Sequence, residues 1–388
     1  MKILHICLGN FFIDNHSYQE NMLTKFHVLQ GHEVTVLASL VTFDKNGKFS
    51  LLNEDATYIN NDGCKIIRVN YKKKGIYRIN KRLRYYDNIY NKICLENPDI
   101  IFIHGCQFMD IKYIKKYVIE RNSNIKIYVD NHADYINSAR NWLSKNILHK
   151  VFWRYCAQLI EPYTNTFYGV TPIRCKFLED VYKLPKDKIK LLVMGVDDYL
   201  VNQIKSSHLD LNKELRSELH FDSEDFIIIT GGKIDYAKNI HLLMKAVTEI
   251  NNPKVKLLIF GNLAPEIKDL FKSLNNHSSI RFLGWQSHED IIKKLLISDL
   301  AVFPGTHSVL WEEAVGCGIP ALYKYWKGMT HVDVGGNCIF LKEDSTKEIK
   351  EKILYLLENK DVYDRMHEIT RAKKELFSYS NIAKRAIE

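Results

Sequence analysis

The sequence lacks the hallmarks of several protein classes. No uninterrupted apolar run approaches the roughly 18 residues of a membrane-spanning helix. The eight cysteines lie singly, with no Cys-x-x-Cys pair and no Cys/His cluster at zinc spacing, which is typical of reduced thiols in a cytosolic protein. Met1–Ile6 enters a strand-like run without a signal-peptide layout, and no repeat or low-complexity tract is present. These absences predict a cytoplasmic globular protein.

Acidic residues are scarce in the first half of the chain. Residues 1–198 carry 29 Lys and Arg against 20 Asp and Glu, whereas the remainder carries 26 of each, so the first half holds the whole net charge of +9. Seven basic residues fall in one short segment without an acid: Lys72, Lys73, Lys74, Arg78, Lys81, Arg82 and Arg84. Such a basic face attracts anionic lipid, phosphate-bearing acceptors or nucleic acid, but an ordinary hydrated surface has the same composition.

Short apolar runs alternate with segments of helical period. In the first half, buried strands are predicted at Ile3–Cys7, Val34–Leu37, Ile100–Ile103, Ile125–Val129 and Phe167–Val170. Between them, Ile79–Cys94 has the three-to-four-residue periodicity of one amphipathic helix. Alternating strands and helices predict a parallel sheet covered on both faces.

The alternation starts again in the second half. Five more strands are predicted at Phe226–Thr230, Val255–Phe260, Ile280–Leu283, Leu300–Phe303 and Ala321–Tyr323. A polar stretch from about Gly195 to Asp222 separates the two series and is interpreted as a linker. The pattern predicts an α/β protein with two doubly wound domains. Because ligands of such sheets bind at the carboxyl ends of the strands, a cleft between the domains is expected.

Four strand ends carry residues suited to phosphate or sugar. Gly9 and Asn10 follow the first strand, although a plain turn would have the same sequence. Gly232, Lys233 and Lys238 follow the strand at 226–230, where backbone and ammonium groups could meet one pyrophosphate, although surface lysines are common.

The other two strand ends differ in chemistry. His307–Leu310 precede a predicted helix whose first N–H groups favour an anion. Glu313, one turn in, could accept hydrogen bonds from vicinal hydroxyls, or it could only complement the helix dipole. His132 lies in a cluster of four polar residues at 130–134, where a structural role is the alternative to a catalytic one.

These segments together resemble the retaining glycosyltransferases of family 4. The resemblance rests on Gly31–Val36, on Lys188–Lys190 leading to Met194–Asp197, on Glu313–Pro320 against the family's Glu-Ala-Met-Ala-Cys-Gly-x-Pro, and on the glycine-rich Asp333–Asn337. It implies the GT-B fold, with two Rossmann-like domains and an interdomain cleft. The implied domains are residues 1–198 for the acceptor and 199–365 for the donor, with a C-terminal helix at 366–388 packing back on the first domain.

The resemblance also implies roles for individual residues. Lys233 and Lys238 match basic residues on the donor diphosphate, Glu313 matches the glutamate that holds the ribose, and His132 matches an active-site histidine beside the transferred sugar. The remaining implied donor contacts are Gly9, Asn10, Gly232, Gly261, Asn262, Gly284, Trp285 and the backbone of His307, Ser308, Val309 and Leu310.

Two departures from the family pattern concern the sugar. Gly305 stands where the family has the first glutamate of its paired-glutamate motif, and Thr306–Ser308 replace a Gly-Phe-Gly. We expect the phosphate site to survive these changes, and His307 to be a candidate for a replacement hydroxyl contact. No Asp-x-Asp lies at a strand end, in keeping with a metal-independent transferase that needs no cofactor.

The expected reaction is transfer from a nucleotide-sugar, UDP- favoured over GDP-, to a glycan, lipid-linked or protein-linked acceptor in bacterial surface polysaccharide or glycoconjugate synthesis. The basic segment would hold the enzyme peripherally at the inner face of the plasma membrane, on anionic lipid, and no nucleic acid partner is expected. Three alternatives remain: a nucleotide-sugar 2-epimerase of the same fold, a catalytically inactive transferase that lacks the motif glutamate at Gly305, and a non-catalytic protein that binds membrane or nucleic acid through its basic face.

Overall fold

The computed structural model describes residues 1–44, 48–136, 138–139, 141–208 and 210–388. The chain divides into two compact units. Unit 1 comprises Met1–Val193 and Ile382–Glu388, and unit 2 comprises Met194–Asn381. None of the helices in the described residues is both long and apolar enough to cross a membrane.

Unit 1 alternates strands and helices, as the apolar periodicity predicts. Its strands are β1 (Lys2–Cys7), β2 (Glu33–Ser39), β3 (Val41–Phe43), β4 (Phe49–Leu51), β5 (Ala56–Ile59), β6 (Lys65–Val69), β7 (Ile100–His104), β8 (Lys126–Asn131), β9 (Thr166–Gly169) and β10 (Ile189–Leu191). Its helices are α1 (Gln19–Leu29), α2 (Tyr77–Leu83), α3 (Ile89–Glu96), α4 (Lys112–Glu120), α5 (Arg154–Ile160), which continues a π-helical segment at Ser144–Trp153, and α6 (Pro172–Asp180).

The main sheet of unit 1 has the strand order of a doubly wound fold. Among the described residues it has eight strands in the order β10-β9-β8-β7-β1-β2-β6-β5, with β1 central. All neighbours pair in parallel except the edge strand β5, which is antiparallel to β6. Its central strands are buried on both faces, because helices cover the parallel sheet. The carboxyl ends of β1, β7 and β8 therefore lie side by side.

Unit 2 repeats the plan. Its strands are β11 (Phe226–Ile234), β12 (Val255–Leu263), β13 (Ile280–Phe282), β14 (Leu300–Phe303), β15 (Ala321–Lys324) and β16 (Cys338–Leu341). Its helices are α7 (Asp198–Ser207), α8 (Leu211–Glu218), α9 (Ile240–Ile250), α10 (Lys268–Leu274), α11 (His288–Leu296), α12 (Leu310–Cys317), α13 (Thr346–Glu358) and α14 (Lys360–Lys373). The chain ends with α15 (Tyr379–Ala386), which crosses the boundary between the units.

The sheet of unit 2 is entirely parallel in the described residues. Its order is β13-β12-β11-β14-β15-β16, which reverses direction between β11 and β14 in the manner of a Rossmann fold. Ligands of such sheets bind outside the carboxyl ends of the strands at this switch point. The two sheets confirm the predicted α/β class and its doubly wound architecture.

Two predictions of local structure are wrong. The segment Ile79–Cys94 is not one helix, because Arg84 and Asn88 take left-handed backbone conformations, with φ of 58° and 57°, and separate α2 from α3. The predicted linker at 195–222 contains α7 and α8, and each begins at an aspartate, Asp197 or Asp210, whose side chain accepts a hydrogen bond from a backbone N–H of the first turn.

Candidate functional site

A cavity of about 380 Å³ lies at the carboxyl edge of the unit 2 sheet. Seven of the residues that border it are implied donor contacts, Gly232, Gly261, Asn262, Trp285, Ser308, Val309 and Leu310. The implied phosphate residue Lys233 also borders it, and Phe260, Gln286 and Ile291 complete the lining. The structure therefore brings the ends of β11 and β12 together with the start of α12.

The close approach of β11 and β12 requires a glycine at 261. Gly232 and Gly261 are paired in the parallel register of the two strands. Gly261 has a φ of 124°, and a Cβ atom built there would lie 1.8 Å from the carbonyl oxygen of Gly232. Its N–H donates to the carbonyl of Gly284, which ties the loop after β13 to the same edge. Trp285, which follows Gly284 in the sequence, is 70% exposed and borders the cavity.

Lys238 is fixed beneath the loop that follows β14. Its Nζ donates to the carbonyl oxygens of Thr306 at 2.6 Å and His307 at 3.2 Å. Burial lowers the pKa of Lys238 to about 8, although Asp235 opposes the shift. Lys233, by contrast, is 69% exposed and places its Nζ 3.0 Å from Asp235 Oδ2. The two lysines therefore differ: Lys238 holds the loop after β14, and Lys233 borders the cavity with a largely exposed side chain.

The loop leaves no space for a side chain at Gly305. A Cβ atom there would lie 2.3 Å from the carbonyl oxygen of Ala237 and 2.4 Å from the carbonyl carbon of Lys238. The Gly305 carbonyl accepts a hydrogen bond from Trp326 Nε1 at 3.2 Å. A glutamate at this position could not be accommodated without moving the loop.

Two glutamates at the start of α12 are held by histidines. Glu313 is almost fully buried, and its Oε1 lies 3.2 Å from Nε2 of His288. Glu312 is fully buried and accepts from Nε2 of His307 at 2.9 Å and of His331 at 2.8 Å. Burial opposes the ionisation of Glu312, but the two imidazoles lower its pKa to about 2.

The Glu312 cluster changes the interpretation of His307. Its imidazole is only 8% exposed and its Nε2 is directed to Glu312, so this nitrogen is already bonded and is not available for a sugar hydroxyl. Within the described residues, His307, Glu312 and His331 form the one group whose ligand atoms are close enough, within 4.8 Å, to hold a metal ion. As they stand, their hydrogen bonds satisfy the carboxylate. Sequence reasoning missed His331, because it comes from a different loop and no spacing links it to α12.

A second, polar cavity of about 270 Å³ lies in unit 1. It is lined by the implied residues Asn10 and His132, together with Arg84, Gln107, Ala133, Ser138, His149 and Trp153. His132 Nε2 lies 3.7 Å from Asp130 Oδ2 and 4.0 Å from Glu20 Oε1. Burial lowers the pKa of His132, but these two carboxylates outweigh it and raise the pKa above its ordinary value.

Arg84 does not belong to the exposed basic face. Its guanidinium donates to the carbonyl oxygens of Gly9 and Gln107 and lies 5.8 Å from the ring centre of Trp153. Lys72 is half-buried against the rings of Tyr85 and Tyr113. The exposed members of the predicted face are Lys73, Lys74, Arg78, Lys81 and Arg82.

Comparisons with known proteins agree with this geometry. The sequence model of the family "Glycosyl transferases group 1" matches residues 212–373, within unit 2. An uncharacterized glycosyltransferase of Methanocaldococcus jannaschii is 22% identical over 199 residues, 50% of this chain and 56% of that protein. The aligned region thus spans little more than half of that relative.

Solved structures align over nearly the whole chain. A glycosyltransferase from Rickettsia africae superposes with a TM-score of 0.68 at 16% identity, over 99% of this chain and 96% of that one. The Anabaena protein HepE, in complex with UDP, superposes with a TM-score of 0.67 at 14% identity, over 99% and 98%. The chain therefore has the two-unit α/β fold of GT-B glycosyltransferases, and its second unit carries the sequence pattern of glycosyl transferases group 1.

Proposed function

We propose that this chain is a retaining glycosyltransferase of family 4 that takes its sugar from a nucleotide-sugar. The observation that carries the proposal is the unit 2 cavity, where eight of the residues implied by the family resemblance border one space at the switch point of the sheet. The UDP complex of the Anabaena protein supports a UDP-sugar in preference to a GDP-sugar. The proposed acceptor is a glycan, lipid-linked or protein-linked, in bacterial surface polysaccharide or glycoconjugate synthesis.

The cavity offers a distinct partner to each part of such a donor. The exposed ring of Trp285 and the Gly261–Asn262 backbone suit a nucleotide base. Lys233 and the first N–H groups of α12, at Ser308–Leu310, suit a diphosphate, since helix N-termini favour anions. Glu313, with His288, is proposed to meet the ribose hydroxyls.

The proposed reaction proceeds with retention at the anomeric carbon. The bond from that carbon to the diphosphate oxygen breaks while the acceptor oxygen forms a bond on the same face, and a donor phosphate oxygen takes the acceptor proton. The protein neutralises the charge that develops on the departing diphosphate and positions the reactants. Lys233, Lys238 and the start of α12 supply this neutralisation without a metal. His132 of unit 1 is proposed to contact the transferred sugar.

The basic face of unit 1 supports a peripheral membrane location. Every residue of α2 is described and none is buried. Ile76, Tyr77 and Ile79 are 65%, 43% and 48% exposed among the basic residues of this face. Exposed apolar side chains next to lysine and arginine are typical of helices that lie in the interface of anionic bilayers. We therefore propose attachment to the inner face of the plasma membrane through α2.

Calorimetric titration with UDP and with GDP tests the donor site. We expect UDP to bind the wild-type protein, and Lys238→Ala to weaken binding by more than about tenfold, roughly 1.4 kcal/mol. Lys347→Ala, on a side chain that is 85% exposed in α13, is the matched control and is expected to bind like wild type. If neither UDP nor GDP binds at millimolar concentration, the proposal is contradicted.

Product analysis with a UDP-sugar separates the two enzyme alternatives. A transferase releases UDP in step with glycosylation of an added acceptor, and EDTA leaves its rate unchanged. A 2-epimerase forms an epimerised sugar product without any acceptor. Free sugar epimer in the absence of acceptor, or a rate that EDTA abolishes and Zn²⁺ restores, would require the proposal to be revised.

A further inference from the structure

Three buried histidines form a hydrogen-bonded chain through unit 1. His27 Nε2 lies 2.9 Å from the carbonyl oxygen of Ala383, and His27 Nδ1 lies 2.9 Å from His5 Nε2. His5 Nδ1 lies 2.9 Å from His104 Nε2, and His104 Nδ1 lies 2.7 Å from Asp130 Oδ2. The three imidazoles and the Asp130 carboxylate have no exposed surface. Histidines on α1, β1 and β7 thus link the C-terminal α15 to the carboxylate beside His132.

The chain of histidines contains one more hydrogen bond than three neutral imidazoles can donate. It has four links, and each link needs one proton. Its two ends, the carbonyl of Ala383 and an ionised Asp130, can only accept. Three neutral imidazoles supply three protons, one each. If all four links are formed, the histidine chain therefore holds one proton more than three neutral imidazoles and an ionised Asp130 carry.

The surroundings locate this proton at the Asp130 end. Burial lowers the pKa of His5 well below its ordinary value and that of His27 to about 4, so both are neutral near pH 7. His32, at a ring distance of 6.0 Å, lowers the pKa of His27 further. Asp130 is the acid within the chain, and the adjacent thiols of Cys7 and Cys106 are kept protonated because burial raises their pKa values.

We propose that the His27–His5–His104 chain keeps one excess proton on the His104–Asp130 pair, and that this pair fixes Asp130 behind His132. The pair is then electrically neutral as a whole, and all three imidazoles carry a proton on Nε2. His104 and Asp130 are positioning residues, which set how strongly His132 holds its own proton. Glu20 and Arg174 are the other charged groups acting on His132. The effect on His132 rests on the proposed function, whereas the protonation of the chain does not.

NMR of protein labelled with ¹⁵N in its histidine rings tests the proton count directly. In the wild type we expect Nε2 of His27, His5 and His104 to be protonated at pH 7. His27→Leu removes the links from residue 27 to Ala383 and to His5. Two links remain, and the two remaining neutral imidazoles supply one proton to each, so the excess proton is released. His5 and His104 should both change to the tautomer with the proton on Nδ1. The mutated residue is two links away from His104.

His27→Gln is the matched control. A glutamine amide can donate to the Ala383 carbonyl and accept from His5 Nε2, so the wild-type tautomers should be restored. His149→Leu changes a buried histidine outside the chain and should leave His104 unaffected. Nε2 of His104 without a proton in the wild type, or unchanged tautomers in a folded His27→Leu protein, would overturn the proposal.

The consequence for His132 is read from its own titration. Release of the excess proton leaves Asp130 as an uncompensated carboxylate, which favours the charged form of His132. Its titration midpoint should rise by about one pH unit in His27→Leu and stay unchanged in His27→Gln. If the enzyme transfers sugar, its pH–rate profile should move in the same direction while the affinity for UDP is unaffected. If the tautomers change as expected but the protein has no transferase activity, the proposed protonation of the histidine chain is supported and the proposed function is refuted.

Discussion

At the scale of single residues, the structure separates two lysines that the sequence presents as equivalent. Lys233 and Lys238 are five residues apart and are both expected at the diphosphate. Lys238 is held by two backbone carbonyls under the loop after β14, whereas Lys233 extends from the cavity edge into solvent. The depressed pKa of Lys238 follows from this burial. Its charge therefore depends on pH within an accessible range.

The affinity for UDP is expected to fall as the pH rises above about 8. Lys238 loses its proton in that range, and a neutral amine attracts the diphosphate less strongly. Lys238→Arg should remove this pH dependence, because a guanidinium stays charged at any pH of interest. Calorimetric titrations at pH 7 and pH 9 measure the effect. Equal affinities of the wild-type protein at the two pH values would contradict the assignment of Lys238 to the anion site.

Gly305 is a residue whose identity is set by packing. We expect Gly305→Ala to lower the free energy of unfolding by about 3 kcal/mol, because the added Cβ atom overlaps the backbone of Ala237 and Lys238. Gly305→Glu should not restore the motif of the family, and should weaken UDP binding by displacing the loop. Denaturant unfolding monitored by circular dichroism provides the measurement.

Gly31→Ala is the control for this substitution. Gly31 has a φ of 81° with no atom within 4 Å of a built Cβ, so only the left-handed backbone opposes alanine there. A loss of about 1 kcal/mol is expected. Similar losses at the two positions would show that Gly305 is not sterically restricted.

At the scale of secondary-structure elements, α2 differs from the helix that the periodicity predicts. The apolar positions of Ile79–Cys94 fit one amphipathic helix, but the left-handed Arg84 ends α2 and turns its own side chain towards Gly9 and Gln107. Periodicity detects which residues share a face, and it cannot detect a break made by hydrogen bonds to a different strand end. The result is a short exposed helix with Ile79 on its surface and Ile76 exposed at its N-cap.

Membrane binding by α2 is expected to need both its charge and its apolar side chains. Lys73→Glu with Arg82→Glu should reduce binding to vesicles that contain anionic lipid by at least tenfold at low salt. Ile76→Ser with Ile79→Ser should reduce it at both low and high salt, because the apolar contribution is not screened. Vesicle co-sedimentation measures both. Lys360→Glu with Lys347→Glu in unit 2 is the control, and unchanged binding by the α2 variants would contradict the proposal.

At the scale of the whole molecule, stability depends on histidines that fold in the neutral form. His149 is buried against Tyr182, and burial together with the charge of Arg84 lowers its pKa to about 4. An unfolded chain binds a proton at this residue below about pH 6.5, whereas the folded protein binds it only below about pH 4. The free energy of unfolding therefore falls as the pH decreases from 6.5 to 4.

His149→Gln is expected to weaken this acid sensitivity. The difference in unfolding free energy between pH 7 and pH 4 should become smaller by up to about 3 kcal/mol, because the variant has no proton to take up at this position. Denaturant titrations at the two pH values give the difference. His208→Gln, on a histidine that pairs with Glu214 at the surface, is a suitable control. An unchanged difference in His149→Gln would show that this histidine is not neutral in the folded protein.

The sequence by itself determined the class of the fold and its ten main strands, and its family resemblance named most of the residues that border the unit 2 cavity. Apolar runs of this kind are stable only inside a sheet covered on both faces, and short loops after parallel strands necessarily meet at one edge. Gly232, Lys233, Lys238 and the segment 307–310 were therefore recognisable from the order of the chain, whereas Gly261, Asn262 and Trp285 were implied only by the family resemblance.

Only the tertiary structure decided which polar groups face one another. The pairing of His331 with Glu312, the packing that excludes a side chain at Gly305, and the chain from Ala383 through His27, His5 and His104 to Asp130 all join residues that are distant in sequence. Hydrogen bonds depend on positions to within a fraction of an ångström, and no periodicity or motif specifies them. Periodicity fixes which face a residue occupies, whereas its partner is set by how helices and neighbouring strands pack across that face.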